Sequence, residues 1–315
     1  MRWATYLSAR DGTRHVAAVH EGRLYARPAG ERLIDLLGDD GARLRVAHEK
    51  ALSDPVEVVQ ETEAGFCAPI PVPPSIRDFM AFEEHVRPIL AARGASVDPA
   101  WYQVPAFYFT NPAAVLGPRD EVRAAPGANE LDFELEVAAV IGRPGSDLAP
   151  SAAVEHIAGY LLMCDWSARD LQRRERPLGL GPVKGKDWAT SFGPYFVSAD
   201  ELPAPPGARM PDLRLRASVN GRHYSDGNLN EAYWSFAEMV AYASRGTTVR
   251  PGDVIGSGTV GTGCIADLSA RHGGDAYPWL RPCDRIELDG GALGRISCVL
   301  GTGAAVVPLR PEGPQ

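Results

Sequence analysis

Beyond residue 105 the chain is a succession of short apolar runs cut by turn residues, and this rhythm limits the folds open to it. FYFTNPAAVLG, IAGYLLMC, TSFGPYFVS, DVIGSGTV, DRIELDG and LGRISCVLG read as strands, and LRLRASVNGRHYS reads as a hairpin turned at Asn-Gly. Only WSARDLQRRER and YWSFAEMVAYASRG carry a helical pattern there. Regular alternation of strand and helix is missing, so the pattern predicts a mixed β-rich α+β fold, a rolled sheet with few helices, and not a doubly wound one. With 315 residues, 45% of them hydrophobic, the chain can bury a large core.

The start, RWATYLSARDGTRHVAAVHEGRLYAR, alternates β-rich runs with DG and EG turns, as a small antiparallel unit would. A modest helix over ERLIDLL and ARLRVAHEKAL follows. The prolines of APIPVPPS remove backbone donors and favour extended chain. A connection is therefore expected there, between a small N-terminal β-rich domain, 1–70, and a main domain, 74–310. SIRDFMAFEEHVRPIL places Ile76, Phe79, Phe82, Val86 and Ile89 at helical spacing, which predicts a helix capped by Ser75 and ended or kinked at Pro88. On such a helix Asp78 and His85 would share a face.

The strand ELDFELEVAAVIG, 130–142, puts Phe133, Leu135, Val137, Ala139 and Ile141 on one side and Asp132, Glu134 and Glu136 on the other. Like charges about 7 Å apart on one side of a sheet repel. A divalent cation would turn that repulsion into shared attraction, and an all-oxygen ligand set suits Mg²⁺, Mn²⁺ or Ca²⁺ better than zinc. Ordinary solvated charge on an exposed face is the alternative. In GYLLMCDWSARDLQ an apolar run meets a polar helix at Asp165, a residue that either caps the helix or faces a ligand together with Arg169 and Gln172.

Several function classes fall away. A formal charge of −8 and the lack of a Lys/Arg run argue against nucleic acid and leave a small molecule as the expected partner. No run of about 18 apolar residues exists, and MRWATYLSARDG lacks the order of a signal peptide, so a cytoplasmic protein that binds no membrane is expected. Cys67, Cys164, Cys264, Cys283 and Cys298 show no C-x-x-C pair and read as reduced thiols. GSGTVG, 256–261, fits a dinucleotide loop by letter, but its strands lack the βαβ context that loop needs.

Taken in order, RDFMAFEEHV, ELDFELEVAAVIG, CDWSARDLQ, GPVKGKDWATSFGPY and RPGDVIGSGTVGTG resemble the signature segments of the fumarylacetoacetate hydrolase family over residues 74–305. The resemblance implies that family's β-sandwich roll behind a small N-terminal domain, usually as a homodimer. It implies Mg²⁺ or Mn²⁺ held by Asp78, Glu134, Glu136 and Asp165. It further implies His85 as general base, oriented by Asp267 where the fumarylacetoacetase branch has glutamate, and Lys186 as the residue stabilising negative charge on the substrate. Tyr108, Arg169, Gln172 and Thr259 match substrate-contacting positions, and Arg87 and Arg93 are candidates for a substrate carboxylate. Pro88 stands where other branches carry an acid. Cys164 replaces an asparagine, which would alter hydrogen bonding around the metal.

The activity implied is metal-dependent hydrolysis of a carbon–carbon bond in a 1,3-dicarbonyl or acylpyruvate-like keto acid. Tautomerisation, isomerisation, hydration and decarboxylation of β-keto or 2-oxo acids use the same enolate chemistry, and they become the better reading if Asp267 does not hold His85. A non-catalytic accessory protein is the third reading.

Overall fold

The computed structural model of the protein describes residues 1–310. Its backbone is a mixed sheet of 13 strands, facing a second sheet of five. The main sheet takes β1 (Arg2–Leu7), β2 (Arg14–His20), β3 (Arg23–Ala26), β4 (Val58–Gln60), β5 (Gly65–Cys67), β6 (Ile76–Phe79) and β7 (Phe107–Thr110) from the first third of the chain. It then takes β8 (Leu135–Ile141), β9 (Ile157–Asp165) and β10 (Tyr195–Ser198). The second sheet is built on β11 (Arg214–Val219) and β12 (Arg222–Asn228), a hairpin whose turn residues Asn220 and Gly221 have φ of 52° and 76°, as an Asn-Gly turn requires. A further main-sheet strand, β13 (Val254–Gly256), precedes β14 (Arg285–Asp289) and β15 (Arg295–Gly301) of the second sheet.

Along its principal path the main sheet runs β4-β3-β2-β1-β10-β9-β8-β13-β6-β7. The N-terminal residues are thus β-rich, and their strands continue the main sheet through the antiparallel pair β1–β10, with Trp3 opposite Phe196. Helix α1 (Ala42–Ser53) covers one face, burying Leu44, Ala47 and Ala51 among Trp3, Leu161 and Val140. The other face packs against Leu215, Ala217, Ile286, Leu288 and Ile296 of the second sheet. The result is a two-sheet sandwich, as the resemblance implies. No helix among the described residues is long and apolar enough to cross a membrane.

Strand β8 shows why the site forms where it does. Leu135, Val137, Ala139 and Ile141 enter one core, while Ala138 and Val140 enter the other, so both faces are dry. Each fully buried Val, Leu or Ile contributes about 1.5–3 kcal/mol, which holds the strand in place although Glu136 on it is 0% exposed. Met163 and Leu161 of β9, Ile76 of β6 and Val254 of β13 share the α1-side core with Ala138 and Val140. By strand alternation, the next positions on that face are Glu136, Asp165, Asp78 and Gly256.

One expectation is overturned. Residues 76–79 are strand, paired in parallel with β13 and antiparallel with β7, and the helix α2 (Glu83–Ala91) starts only at Glu83. Ser75 caps nothing; its hydroxyl donates to Asp253 Oδ1 at 2.8 Å. The helical spacing of apolar residues was a weak local preference, and the open sheet slot between β13 and β7 outweighs it. Pro88 lies inside α2 without ending it.

Candidate active site

Four carboxylates converge at the end of the α1-side face: Asp78 from β6, Glu136 from β8, Asp165 from β9, and Glu134 from the β-bridge residue just before β8, with one oxygen of each within 4.8 Å of the others. The register explains the convergence. Asp78 lies beside Gly256 on β13, and β13 lies beside β8. A Cβ at Gly256 would run into Asp78 Oδ1 and the Met163 methyl and force those side-chain ends to move. We expect Gly256→Ala to fold, at a cost of about 1–3 kcal/mol for the overpacking, and to bind Mn²⁺ at least about tenfold more weakly in calorimetry. Unchanged affinity would remove Asp78 from the ligand set.

Burial, and then mutual repulsion, push the carboxyls of Asp78 and Glu136 well above the usual carboxylate range. Burial also raises the carboxyl of Asp165. Glu134 moves down in spite of burial, because Lys186 and Arg169 stand beside it. Oδ1 of Asp78 and Oδ1 of Asp165 are buried without any hydrogen-bond donor. Acceptors left bare in a dry, crowded set of oxygens are what a hard divalent cation satisfies, and this donor set fits Mg²⁺ or Mn²⁺.

The residues around the carboxylates orient them. Gly258 N–H donates to Glu136 Oε2 at 3.0 Å and the Thr259 hydroxyl to Oε1 at 3.3 Å. The GSGTVG loop is therefore a carboxylate clamp, although the helix α5 (Ile265–His272) does follow a few residues later. Tyr108, opposite Asp78 in the β6–β7 ladder, holds its hydroxyl within hydrogen-bond reach of both Asp78 Oδ2, at 3.1 Å, and Asp165, so its one proton is shared between them. Lys186 Nζ donates to Glu134 and Asp165. Burial disfavours its charge, but those two carboxylates outweigh burial and hold it protonated above ordinary lysine.

Arg169 opens helix α3 (Arg169–Glu175) and bridges Asp132 Oδ2 and Glu134 Oε1, both at 2.7 Å. Gln172 accepts from Arg169 at 3.2 Å. Thr259, Gln172 and Arg169 thus hydrogen-bond to the site's own side chains.

Asp132, grouped by sequence with the acidic face, is separated from the cluster. Its oxygens accept from Ile265 N–H at 2.7 Å and Ala266 N–H at 3.0 Å, at the start of α5. Cys164 points into the apolar core on the opposite side of β9 from Asp165, so it does not reach the carboxylates.

His85, on α2, is buried at the edge of the cluster, and burial lowers its imidazolium pKa to about 4, leaving the ring neutral. The expected His85–Asp267 dyad is absent. Asp267 Oδ1 accepts from Arg271 Nε at 2.6 Å and Oδ2 from Thr262 N–H at 2.7 Å. What faces His85 Nδ1 is the thiol of Cys264, at 3.7 Å. The aspartate side chain is one methylene shorter than glutamate and closes onto its own helix start. Cys264 is the site residue that sequence reasoning missed; nothing in its spacing distinguished it from the other thiols. Arg87 lies outward, paired with Glu83 and Glu84.

The sequence profile described as fumarylacetoacetate (FAA) hydrolase C-terminal matches residues 75–300. This chain belongs to the fumarylacetoacetate hydrolase family. Among similar proteins, the fumarylacetoacetase of Arabidopsis thaliana is 32% identical over 243 residues, 61% of this chain and 57% of that one. The mitochondrial oxaloacetate tautomerase of Homo sapiens is 31% identical over 221 residues, 69% of this chain and 65% of that one. The alignments thus span between half and two thirds of these relatives' length. Among solved folds, the fumarylacetoacetate hydrolase from psychrophilic Exiguobacterium antarcticum superposes with a TM-score of 0.71 at 23% identity, over 96% of this chain and 99% of that one. The fumarylpyruvate hydrolase from Pseudomonas aeruginosa in complex with Mn²⁺ and pyruvate gives 0.59 at 24%, over 72% of this chain and 89% of that one. The family therefore includes both hydrolases and tautomerases.

Proposed function

We propose that this family member is a divalent-metal-dependent enzyme of 2-oxo or 1,3-dicarbonyl acids that works by making and quenching an enolate. The observation that carries this is the buried carboxylate set beside Lys186 and a neutral imidazole. Asp78, Glu134, Glu136 and Asp165 would hold Mg²⁺ or Mn²⁺, which when bound supplies Lewis acidity to the substrate oxygens. The Mn²⁺ and pyruvate of the Pseudomonas aeruginosa protein support this choice.

The protein's own groups do the rest. His85 takes a proton from the carbon flanked by carbonyls and returns it to the enolate oxygen in tautomerisation, or to another carbon of the extended enolate in isomerisation. Lys186, kept charged by Glu134 and Asp165, offsets the negative charge that develops on the substrate oxygen. Arg93 is exposed and feels the like charges of Arg176, Arg169 and Arg173, a repulsion that a substrate carboxylate would relieve.

Within this chemistry the geometry favours tautomerisation or isomerisation. Water attack needs a base backed by a carboxylate that stabilises the imidazolium. His85 is backed by a thiol, and Asp267 is engaged by Arg271 and Thr262. A carbon acid between two carbonyls gives up its proton far more readily than water, so the weaker base suffices. Carbon–carbon hydrolysis is the second reading, supported by the likeness to fumarylacetoacetase. A homodimer belongs to the same proposal and rests on the family resemblance.

NMR of the purified protein with Mn²⁺, oxaloacetate and an acylpyruvate will separate the readings. We expect faster keto–enol exchange and solvent deuterium at the central carbon, with the acylpyruvate intact. Two carboxylate products from the acylpyruvate would establish hydrolysis instead.

A further inference from the structure

Beside the all-oxygen cluster lies a second group of potential ligands of different character: His85, Glu134 and Cys264, each offering an atom within 4.8 Å of the others, and all buried. The backbone accounts for it. Cys264 forms a bridge with Glu134 and is the N-cap of α5, so its sulfur stands next to the Glu134 carboxylate and faces His85 on α2. We propose that Cys264 Sγ, His85 Nδ1 and Glu134 form a second cation site, selective for thiophilic divalent ions such as Zn²⁺ and Cd²⁺, which shares Glu134 with the oxygen site.

Three observations carry the assignment. The Sγ to Nδ1 separation is 3.7 Å. A tetrahedral zinc with ordinary Zn–S and Zn–N bonds holds those two ligand atoms about 3.6 Å apart, so no rearrangement of the pair is needed. Next, Asp267 N–H points at Cys264 Sγ at 3.3 Å, at the start of a helix, where a thiolate formed on binding finds a donor and the positive end of the dipole. Third, Lys186 and Arg169 already neutralise Glu134. Hard ions, which gain little from sulfur, therefore have no reason to leave the four-carboxylate set for this position, whereas a soft ion does. Binding releases the thiol proton to solvent and forms the metal–sulfur bond; no redox step is involved. Occupancy also takes the Nδ1 lone pair of His85 and so silences it, a consequence that rests on the base role proposed above, while the binding itself does not.

The test is a Cd²⁺ titration followed by the ultraviolet thiolate-to-cadmium absorption, in a C67A/C283A background that removes the two cysteines not buried. We expect a saturable band at about one equivalent per chain, lost in Cys264→Ser. His85→Ala should weaken Cd²⁺ by at least the 10- to 100-fold typical of outer ligands. Glu136→Gln should keep the band, so failure of the oxygen site and failure of this one are separate results. A band undiminished by Cys264→Ser, or no band from the background protein while circular dichroism shows it folded, overturns the proposal.

Discussion

Glu136→Gln will yield a folded protein that has lost its response to Mn²⁺ and Mg²⁺. The replacement is nearly isosteric, and both partners of Glu136 survive it. The Gln carbonyl accepts from Gly258 N–H, and its amide group donates to the Thr259 hydroxyl. What disappears is one charge among the four carboxylates. In the metal-free protein that loss is a relief, since Asp78, Glu134 and Asp165 all repel Glu136. With a free ion at a hundred times its Kd, the wild type gains about 2.7 kcal/mol, and the variant gains none. Turnover should fall by at least about 10²–10³-fold, the scale on which a lost charge-stabilising group is felt.

The same repulsion sets a pH dependence. Asp78 and Glu136 have folded pKa values above those of the unfolded chain. Their contribution is fully present below about pH 4 and is lost as pH rises through the raised values. Metal-free wild type should therefore lose stability from mildly acid towards neutral pH, and Glu136→Gln should flatten that slope. Thermal melts with and without Mn²⁺ across this range decide the matter; a variant that still rises in Tm with Mn²⁺ would put the cation elsewhere.

His85→Ala has the opposite profile. Mn²⁺ binding should be retained within a few-fold of wild type, because no oxygen of the four-carboxylate set is touched. Proton exchange at the substrate carbon should fall by about 10²–10⁴-fold, the range for loss of a general base. Calorimetry with Mn²⁺ and deuterium exchange by NMR read the two properties separately. Wild-type exchange in this variant would remove His85 from the mechanism.

How much of this was written in the sequence depends on how local each signal is. Glu134 and Glu136 alternate with core residues along one run, and Asp165 ends another, so the acidic convergence was legible from strand periodicity and family resemblance. Asp78 is assigned by the family resemblance alone, while its segment reads as helix. Its surroundings carry helical spacing over Ile76, Phe79, Phe82 and Val86, and only the distant strands β13 and β7 decide that the first four residues are extended. The joining of the N-terminal strands to the main sheet was hidden in the same way, since Trp3 meets Phe196 across most of the chain. The change from glutamate to Asp267 was visible as a letter. Its outcome was not, because a methylene's difference in reach matters only against the positions of Arg271 and Thr262 N–H. Cys264 gave no sign at all.

The parallel pairing of β6 with β13 has a kinetic consequence. Asp78 meets Gly256 and the strand of Glu136 only when the longest of the loops in that part of the sheet has closed, a late event for a topology rich in distant contacts. If the complete ligand set assembles only after the rate-limiting step of folding, a bound ion acts on unfolding alone. Its grip lengthens the lifetime of the folded state and leaves the speed of reaching it unaltered.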